Sequence, residues 1–498
     1  MSDVQNSTVD ARDEIIRQQA EQIRQLQEEI ARLKGLLEKK ADAKAAKQPK
    51  FTENFSLDRN KKQNAQRKNK SNKKRGRKPR RGKLERATQQ IDVYPEGAKR
   101  DDYVRHRSQF AWRIVDGKAI YVCYHIYHRP DAKQLPLPAG LRNSRSEFGI
   151  EIILILAFLH YWIGVSLDNA CSIMEFFTGL RLPKSQTNSL LKQLATDWDE
   201  QYDTITELIA LQMIVYIDET GWKVGSKSCY TWVFSTAMHV LYRCGVSRRK
   251  EEAIDVLGAA FDGIGVTDDY AAYKSLFSQH QLCWAHLIRK AIKLALQHPD
   301  EQEYAEFLDQ LCSIYADAKE LRAAHAADVD AGSEKTPSEL EAVITKLQAR
   351  IEALCTRYEE PIIKSKEETS ATNTVRPATP QHVETFILPQ RELMNSLDCL
   401  FMFVAHPDVE PTNNRSERNV RREAEIRKGA RTSKTKKGAK RRSVIVTVLA
   451  SLQTRFEKFT LSTLLAEVTG WLETGRSIFE QELKNLESRR PPPQPTAT

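Results

Sequence analysis

The chain is poor in the features that staple small folds. Its 498 residues include only eight cysteines, Cys123, Cys171, Cys229, Cys244, Cys283, Cys312, Cys355 and Cys399, and no two of them have CxxC spacing. That argues against a disulfide framework and against a CxxC zinc site or redox pair, and predicts reduced thiols in core positions. Long hydrophobic runs are also missing. The longest, Ile152 to Val165, contains His160 and falls short of the ~20 residues that span a bilayer. The opening MSDVQNSTVD lacks the basic-then-apolar layout of an export signal. A soluble cytoplasmic protein without a membrane partner is expected. Its length exceeds one ordinary domain, so several units around at least one sizeable core are predicted.

Charge is present, and its placement is informative. The net +11 is concentrated in two islands. From Lys61 to Arg86 fourteen Lys or Arg stand against the single acid Glu85; from Arg415 to Arg442 thirteen stand against Glu417, Glu423 and Glu425. The remainder of the chain is net acidic. Basic islands on an acidic body fit polyanion binding, because neutralised phosphates release condensed counterions. Neither island has the aromatic belt or apolar face that a lipid surface would need.

Seven-residue spacing of Ile16, Ile23, Ile30 and Leu37, with Leu26 and Leu33 between, predicts a short coiled coil over 1–41 or a single amphipathic helix packed on the body. A basic linker, 42–90, has too few apolar residues to fold alone. Within it, Arg75, Arg77, Lys78, Arg80 and Arg81 form a narrow segment suited to a DNA groove, or simply a solvated charge run. Alternating stretches around Asp116-Gly117 predict a small β-rich unit over 91–140. A helical region, 141–212, follows. Its GLRLPKSQTNSLLKQLA stretch reads as a turn and a recognition-type helix that would turn Ser185, Gln186, Thr187 and Asn188 toward DNA, although ordinary helical pairs look the same.

From 213 the pattern changes to strands. MIVYI is a short strand predicted to end at Asp218, YTWVFST and HVLYRC are two more, GIGVT ends at Asp268, and HQLCW runs into the helix AHLIRKAIKLAL. The predicted fold class is α/β, with a ribonuclease-H-like mixed sheet in 213–298 and 401–460. A helical insertion occupies 299–400, and 461–498 holds a C-terminal helix and a disordered tail. If the strands ending in Asp218 and Asp268 are neighbours, their carboxylates converge at one sheet edge. Glu417, in PTNNRSERNVRREAEIRKG, falls in the first turn of a helix that starts at Asn413 or Asn414 and stops before Gly429. An Asn cap with a glutamate three residues on is also a capping box, and an aspartate at a strand end is commonly a turn residue.

Taken together, YIDETGWKV (216–224), VTDDYAAY (266–273), CWAHLIRK (283–290) and TNNRSERNVR (412–421) resemble the DDE transposases of insertion-sequence family sixty-six. The resemblance implies Asp218, Asp268 and Glu417 as catalytic acids and ligands of Mg²⁺ or Mn²⁺, with Glu219 and Asp269 as bystanders. It further suggests that Trp222, Tyr270, Tyr273, Trp284 and His286 line or brace the site. Arg289, Lys290, Arg418, Arg421 and Arg422 stand near the acids and are expected phosphate contacts. The implied activity is DNA cleavage and strand transfer at the ends of a mobile element. Implied partners are transposon-end and target DNA, a homodimer or larger assembly on it, and accessory transposition proteins; the implied location is the nucleoid. Family members usually carry a cysteine-rich zinc segment after the basic linker, but Ile91 to Pro130 holds only Cys123, so no zinc is expected. A non-transposing nuclease on the same fold and a catalytically silent DNA-binding protein remain the alternatives.

Overall fold

The computed structural model describes residues 82–95, 103–130, 135–333, 335–368 and 381–489. The chain divides after Arg80, and every described residue falls in the second unit, Arg81–Thr498. The coiled coil expected over 1–41, the basic residues Arg75, Arg77, Lys78, Arg80 and Arg81, and the end of the tail lie outside the described residues.

The first sheet contains β1 (Gln89–Val93), β2 (Val104–Val115) and β3 (Lys118–His128) in the order β1-β3-β2. Asp116 and Gly117 both take positive φ, 48° and 74°, as a tight primed turn requires, and so set the antiparallel register Val115↔Lys118. The parallel partner β1 was not foreseen. Ala111, Val122, Tyr124 and Leu141 form this unit's own small core.

Next come α1 (Ile150–Ala157), a π-helical turn (Phe158–Trp162), α2 (Leu167–Thr178), α3 (Lys184–Asp197) and α4 (Asp199–Ala210). Ser166 caps α2 by accepting from the Asn169 amide at 3.1 Å, and Gly179 ends it with φ 74°. The expectation that Thr187 faces DNA is corrected here. Thr187 is fully buried and its hydroxyl meets Cys171 Sγ at 3.2 Å, because it lies on the face of α3 that packs on α2. Asn188 is exposed but accepts from Arg441 at 3.0 Å.

The second sheet holds β4 (Ile214–Val224), β5 (Lys227–Ser235) and β6 (Val240–Val246), then α5 (Glu251–Leu257), β7 (Ile264–Thr267), α6 (Ala271–Lys274), β8 (Gln279–Leu282) and α7 (Trp284–Gln297). The strand order is β6-β5-β4-β7-β8. The first three are antiparallel, while β4, β7 and β8 run parallel. β4 does not end at Asp218 as expected. It continues to Val224 because β5 pairs with it as far as Val224↔Lys227; only its pairing with β7 stops earlier, at Tyr216↔Val266.

The helical stretch after α7 carries α8 (Gln302–Asp330), α9 (Pro337–Glu368), α10 (Gln381–Met394) and the short α11 (Met402–Ala405). The remaining helices are α12 (Asn414–Lys428), α13 (Lys436–Arg455), α14 (Leu461–Thr474) and α15 (Ile478–Arg489). The sheet separates two cores, as the two-residue period of a strand dictates. Val215 and Ile217 of β4 join one that includes α1, α3, α4 and the inner face of α13. Tyr216, Ile264 and Val266 join the other, built with α7 to α11. The result is a mixed α/β architecture. No helix among the described residues is long and apolar enough to cross a membrane.

Candidate active site

The β4/β7 register brings two of the predicted acids together. Asp218 and Asp268 each lie two residues beyond the paired Tyr216 and Val266, so they stand side by side where the parallel pairing ends. Asp218 Oδ1 accepts from the Glu219 amide at 2.8 Å, and Asp268 Oδ1 accepts from the Tyr270 amide at 3.0 Å. Neither forms an ion pair with a described residue. Burial, followed by the neighbouring charges of Asp268, Glu219 and, more weakly, Glu417, pushes the Asp218 carboxyl well above its ordinary value.

Glu417 arrives on α12. Asn413 starts that helix, but its side chain makes no cap: Nδ2 donates to the Ile217 carbonyl on β4 at 2.6 Å. The capping-box alternative therefore has no hydrogen bond behind it. The Asn413 amide meets Cys283 Sγ at 3.1 Å, the Ser416 hydroxyl donates to the Val233 carbonyl at 3.1 Å, and the Trp284 amide donates to the Pro411 carbonyl at 3.0 Å. These contacts fasten the first turn of α12 to β4, β5 and the start of α7. Behind it, a buried bidentate pair joins Glu423 to Arg442 on α13, both bonds at 2.7 Å.

The Glu417 carboxylate turns toward α7. Arg289 Nη2 donates to its two oxygens at 3.0 and 3.3 Å, His286 Nδ1 lies at 3.5 Å, and Cys283 Sγ at 3.9 Å. Among the described residues, Cys283, His286 and Glu417 are the group of possible metal ligands whose atoms lie within 4.8 Å of one another. Burial lowers the His286 imidazole and raises the Cys283 thiol relative to their ordinary values. Cys283 was missed as a site residue. The signal was present as Cys283-x-x-His286 at a strand-to-helix junction, which puts both side chains beside the following acid.

The other predicted residues divide into four groups. Trp222 and Trp284 are buried, and their indole nitrogens donate to Ser433 Oγ at 3.2 Å and to the Leu400 carbonyl at 2.6 Å. Glu219 is taken up by Arg248 at 2.7 Å and by the buried Tyr273 hydroxyl, while Tyr270 lies beneath the Arg248 guanidinium at 3.9 Å. Lys290 is bound to Glu392 on α10, and Asp269 stands beside that same carboxylate. Arg418 and Arg421 are exposed, whereas Arg422 lies flat on Trp162 at 3.3 Å from the ring centre.

A family model described as transposase IS66 family matches residues 145–441. The chain belongs to the IS66 transposase family. No curated protein matches it. The matched region begins just before α1 and ends within α13, so it takes in the helices ahead of the second sheet, that sheet, helices α7 to α11 and α12. All three acids of the IS66-like words fall inside it.

Proposed function

We propose that this IS66 family member cleaves DNA at the ends of its mobile element and joins the freed ends to target DNA. The supporting observation is the Tyr216↔Val266 register, which sets Asp218 beside Asp268, together with the anchored first turn of α12 that delivers Glu417. The strand order β6-β5-β4-β7-β8 supports reading the sheet as ribonuclease-H-like. On this reading residues 213–298 and 401–460 are the catalytic core, 299–400 an insertion, and 91–140 and 141–212 units that approach DNA. The coiled coil of 1–41 would pair protomers so that two ends meet in one complex.

Asp218, Asp268 and Glu417 would hold divalent cations, Mg²⁺ or Mn²⁺. The fit is electrostatic: Asp218 and Asp268 crowd together, no basic side chain among the described residues pairs with either, and the resulting cost falls on Asp218. The cations held there would supply activation of the attacking oxygen and stabilisation of the departing one. The chain's own groups do the rest. Arg289 and His286 position the Glu417 carboxylate, and Arg418, Arg421 and Arg422 neutralise the approaching phosphodiester. Water attacks phosphorus in line and forms the new P–O bond as the bond to the 3′ oxygen breaks, which leaves a 3′-hydroxyl. That hydroxyl then attacks a target phosphodiester, its proton passes to solvent, and the target strand's own 3′ oxygen departs.

The test incubates purified full-length protein with end-containing duplex and Mg²⁺ or Mn²⁺, beside Asp218→Asn and Glu417→Gln. The expected result is metal-dependent release of a 3′-hydroxyl and joining to target, both lost in the two variants while DNA binding persists. Cleavage without joining would instead mark a nuclease. Binding with neither step, given the proper ends and accessory proteins, would mark a silent binding protein.

A further inference from the structure

The π-helical turn Phe158–Trp162 and helix α12 face each other across a groove of about 460 Å³. Its lining includes Trp162, Arg418, Arg421, Arg422, Glu425 and Arg431, so four guanidinium groups share it with one carboxylate. Two of the arginines are already committed. Arg431 donates to the Gly164 carbonyl, and Arg422 is stacked on the nearly buried Trp162 ring. The stack leaves Arg422 Nη1 buried without a hydrogen-bond partner. A buried, unsatisfied cationic donor is costly, and negative charge in the adjoining groove would offset part of that cost through space. Burial also pulls the Arg422 guanidinium below its ordinary value, which an incoming negative charge would relieve. Arg418 and Arg421 are exposed and form no ion pair with a described residue.

The groove begins on the same helix that carries Glu417. Arg418 follows Glu417 directly, Arg421 lies one turn further along the same face, and the lining reaches Gly429, about 17 Å along the helix axis. At one phosphate per ~3.4 Å of duplex axis, such a run parallels about five phosphates of one strand. We infer that this groove is a strand-tracking site: it takes the sugar-phosphate backbone of the DNA strand beside the reacting phosphate, with Trp162 as the platform that holds Arg422 toward it. This extends the proposed function, because it says where the substrate strand lies. It requires no metal, and that separates its test from the test of catalysis.

The experiment measures binding of dye-labelled single-stranded and duplex DNA to the full chain in EDTA, across a salt series. Arg418→Ala, Arg421→Ala, Arg422→Ala, Trp162→Leu and Trp162→Phe are compared with Arg350→Ala, which removes an exposed ion pair with Asp317. Each of the three groove arginine variants is expected to lower the log–log salt slope by about 1 and to weaken binding ~10-fold at fixed salt. Trp162→Leu should match Arg422→Ala, and Trp162→Phe should restore part of the loss, which a merely structural role for the ring would not produce. Arg418→Ala and Arg421→Ala remove only exposed side chains, so they stay informative if changes at Trp162 or Arg422 unfold the protein. Slopes equal to that of Arg350→Ala in these two variants would overturn the inference. So would displacement of the DNA by inorganic phosphate at constant ionic strength, which would make the groove a free-anion site. Groove-dependent binding by a protein that neither cuts nor joins would sink the proposed function alone; cutting and joining with unchanged slopes would sink the groove alone.

Discussion

Asp218, the proposed metal ligand, works against its own fold. Its carboxyl is raised, so the native state holds the proton more tightly than the unfolded chain does, and stability falls as pH rises above the ordinary carboxylate range. Without metal, Asp218→Asn is therefore expected to melt higher than the parent at neutral pH, with the difference vanishing below about pH 4, near the unperturbed aspartate value. Calorimetry across that range in EDTA decides it, and an equal or lower melting point at pH 7 would remove the crowding argument. Glu417 faces two ligand sets, the aspartates on the sheet and the Cys283–His286 pair on α7. Mn²⁺ binding followed by electron paramagnetic resonance should fall at least ~10-fold in Asp218→Asn and Asp268→Asn and hold in Cys283→Ser, since hard cations prefer carboxylate oxygen. The reverse order would shift the metal to the thiol-imidazole pair. The sequence placed Asp268 just past a strand and Glu417 in a first helical turn, where they stand, whereas Asp218 lies inside β4 rather than at its end. The roles of Asn413 and Cys283 were not legible, since they depend on contacts between segments some 130 to 196 residues apart.

Helix α13 supplies the clearest interaction that sequence patterning concealed. The stretch SVIVTVLAS reads as an apolar helix with scattered hydroxyls, yet Ser443, Thr447 and Ser451 are buried and accept from the amides of Cys244, Tyr242 and Val240 at 2.9, 2.9 and 3.0 Å. Every fourth residue of a helix rises about 6 Å and every second residue of a strand about 6.6 Å, so the two periods match and the edge of β6 is satisfied without another strand. Thr447→Val should cost about 1–3 kcal/mol by leaving the Tyr242 amide unpaired. Urea unfolding with an unchanged slope is the check, and a loss below ~0.5 kcal/mol would show that the ladder contributes little. Arg442→Met, which strands the buried Glu423 carboxylate behind α12, should cost about 3–5 kcal/mol. The hairpin, by contrast, was readable from Asp116-Gly117 alone, because its turn chemistry is local. The persistence of β4 past Asp218 was not, because β5 decides it.

At the scale of the whole molecule, α15 and the first core are tied together through buried groups with a common pH limit. Burial lowers His160 and His239 to about 4, and Glu482 on α15 lies 3.2 Å from His239 Nε2. Both imidazoles are neutral in the fold, so their stabilisation is complete above the unfolded value of 6.5 and is lost as pH falls through about 4. Melting temperature should drop across that window, with His239 alone contributing on the order of 3 kcal/mol. His239→Gln should flatten the limb, and an unchanged limb in that variant would assign the acid sensitivity elsewhere. The succession of strands along the chain and the helical character of the stretch after α7 were readable from changes in hydrophobic period. The two-sided core was not, because it depends on which face each helix takes. The proposed reaction depends on the full assembly of sheet, α12 and DNA, and its most direct test is strand joining from pre-cleaved end DNA with Mg²⁺, using ends that carry either a 3′-hydroxyl or a 3′-deoxy terminus. The expected result is joined product from the hydroxyl end only, with no protein-linked DNA on a denaturing gel. Joining from the deoxy end, or a covalent protein-DNA adduct, would contradict direct attack by the 3′-hydroxyl and the acid-centre mechanism with it.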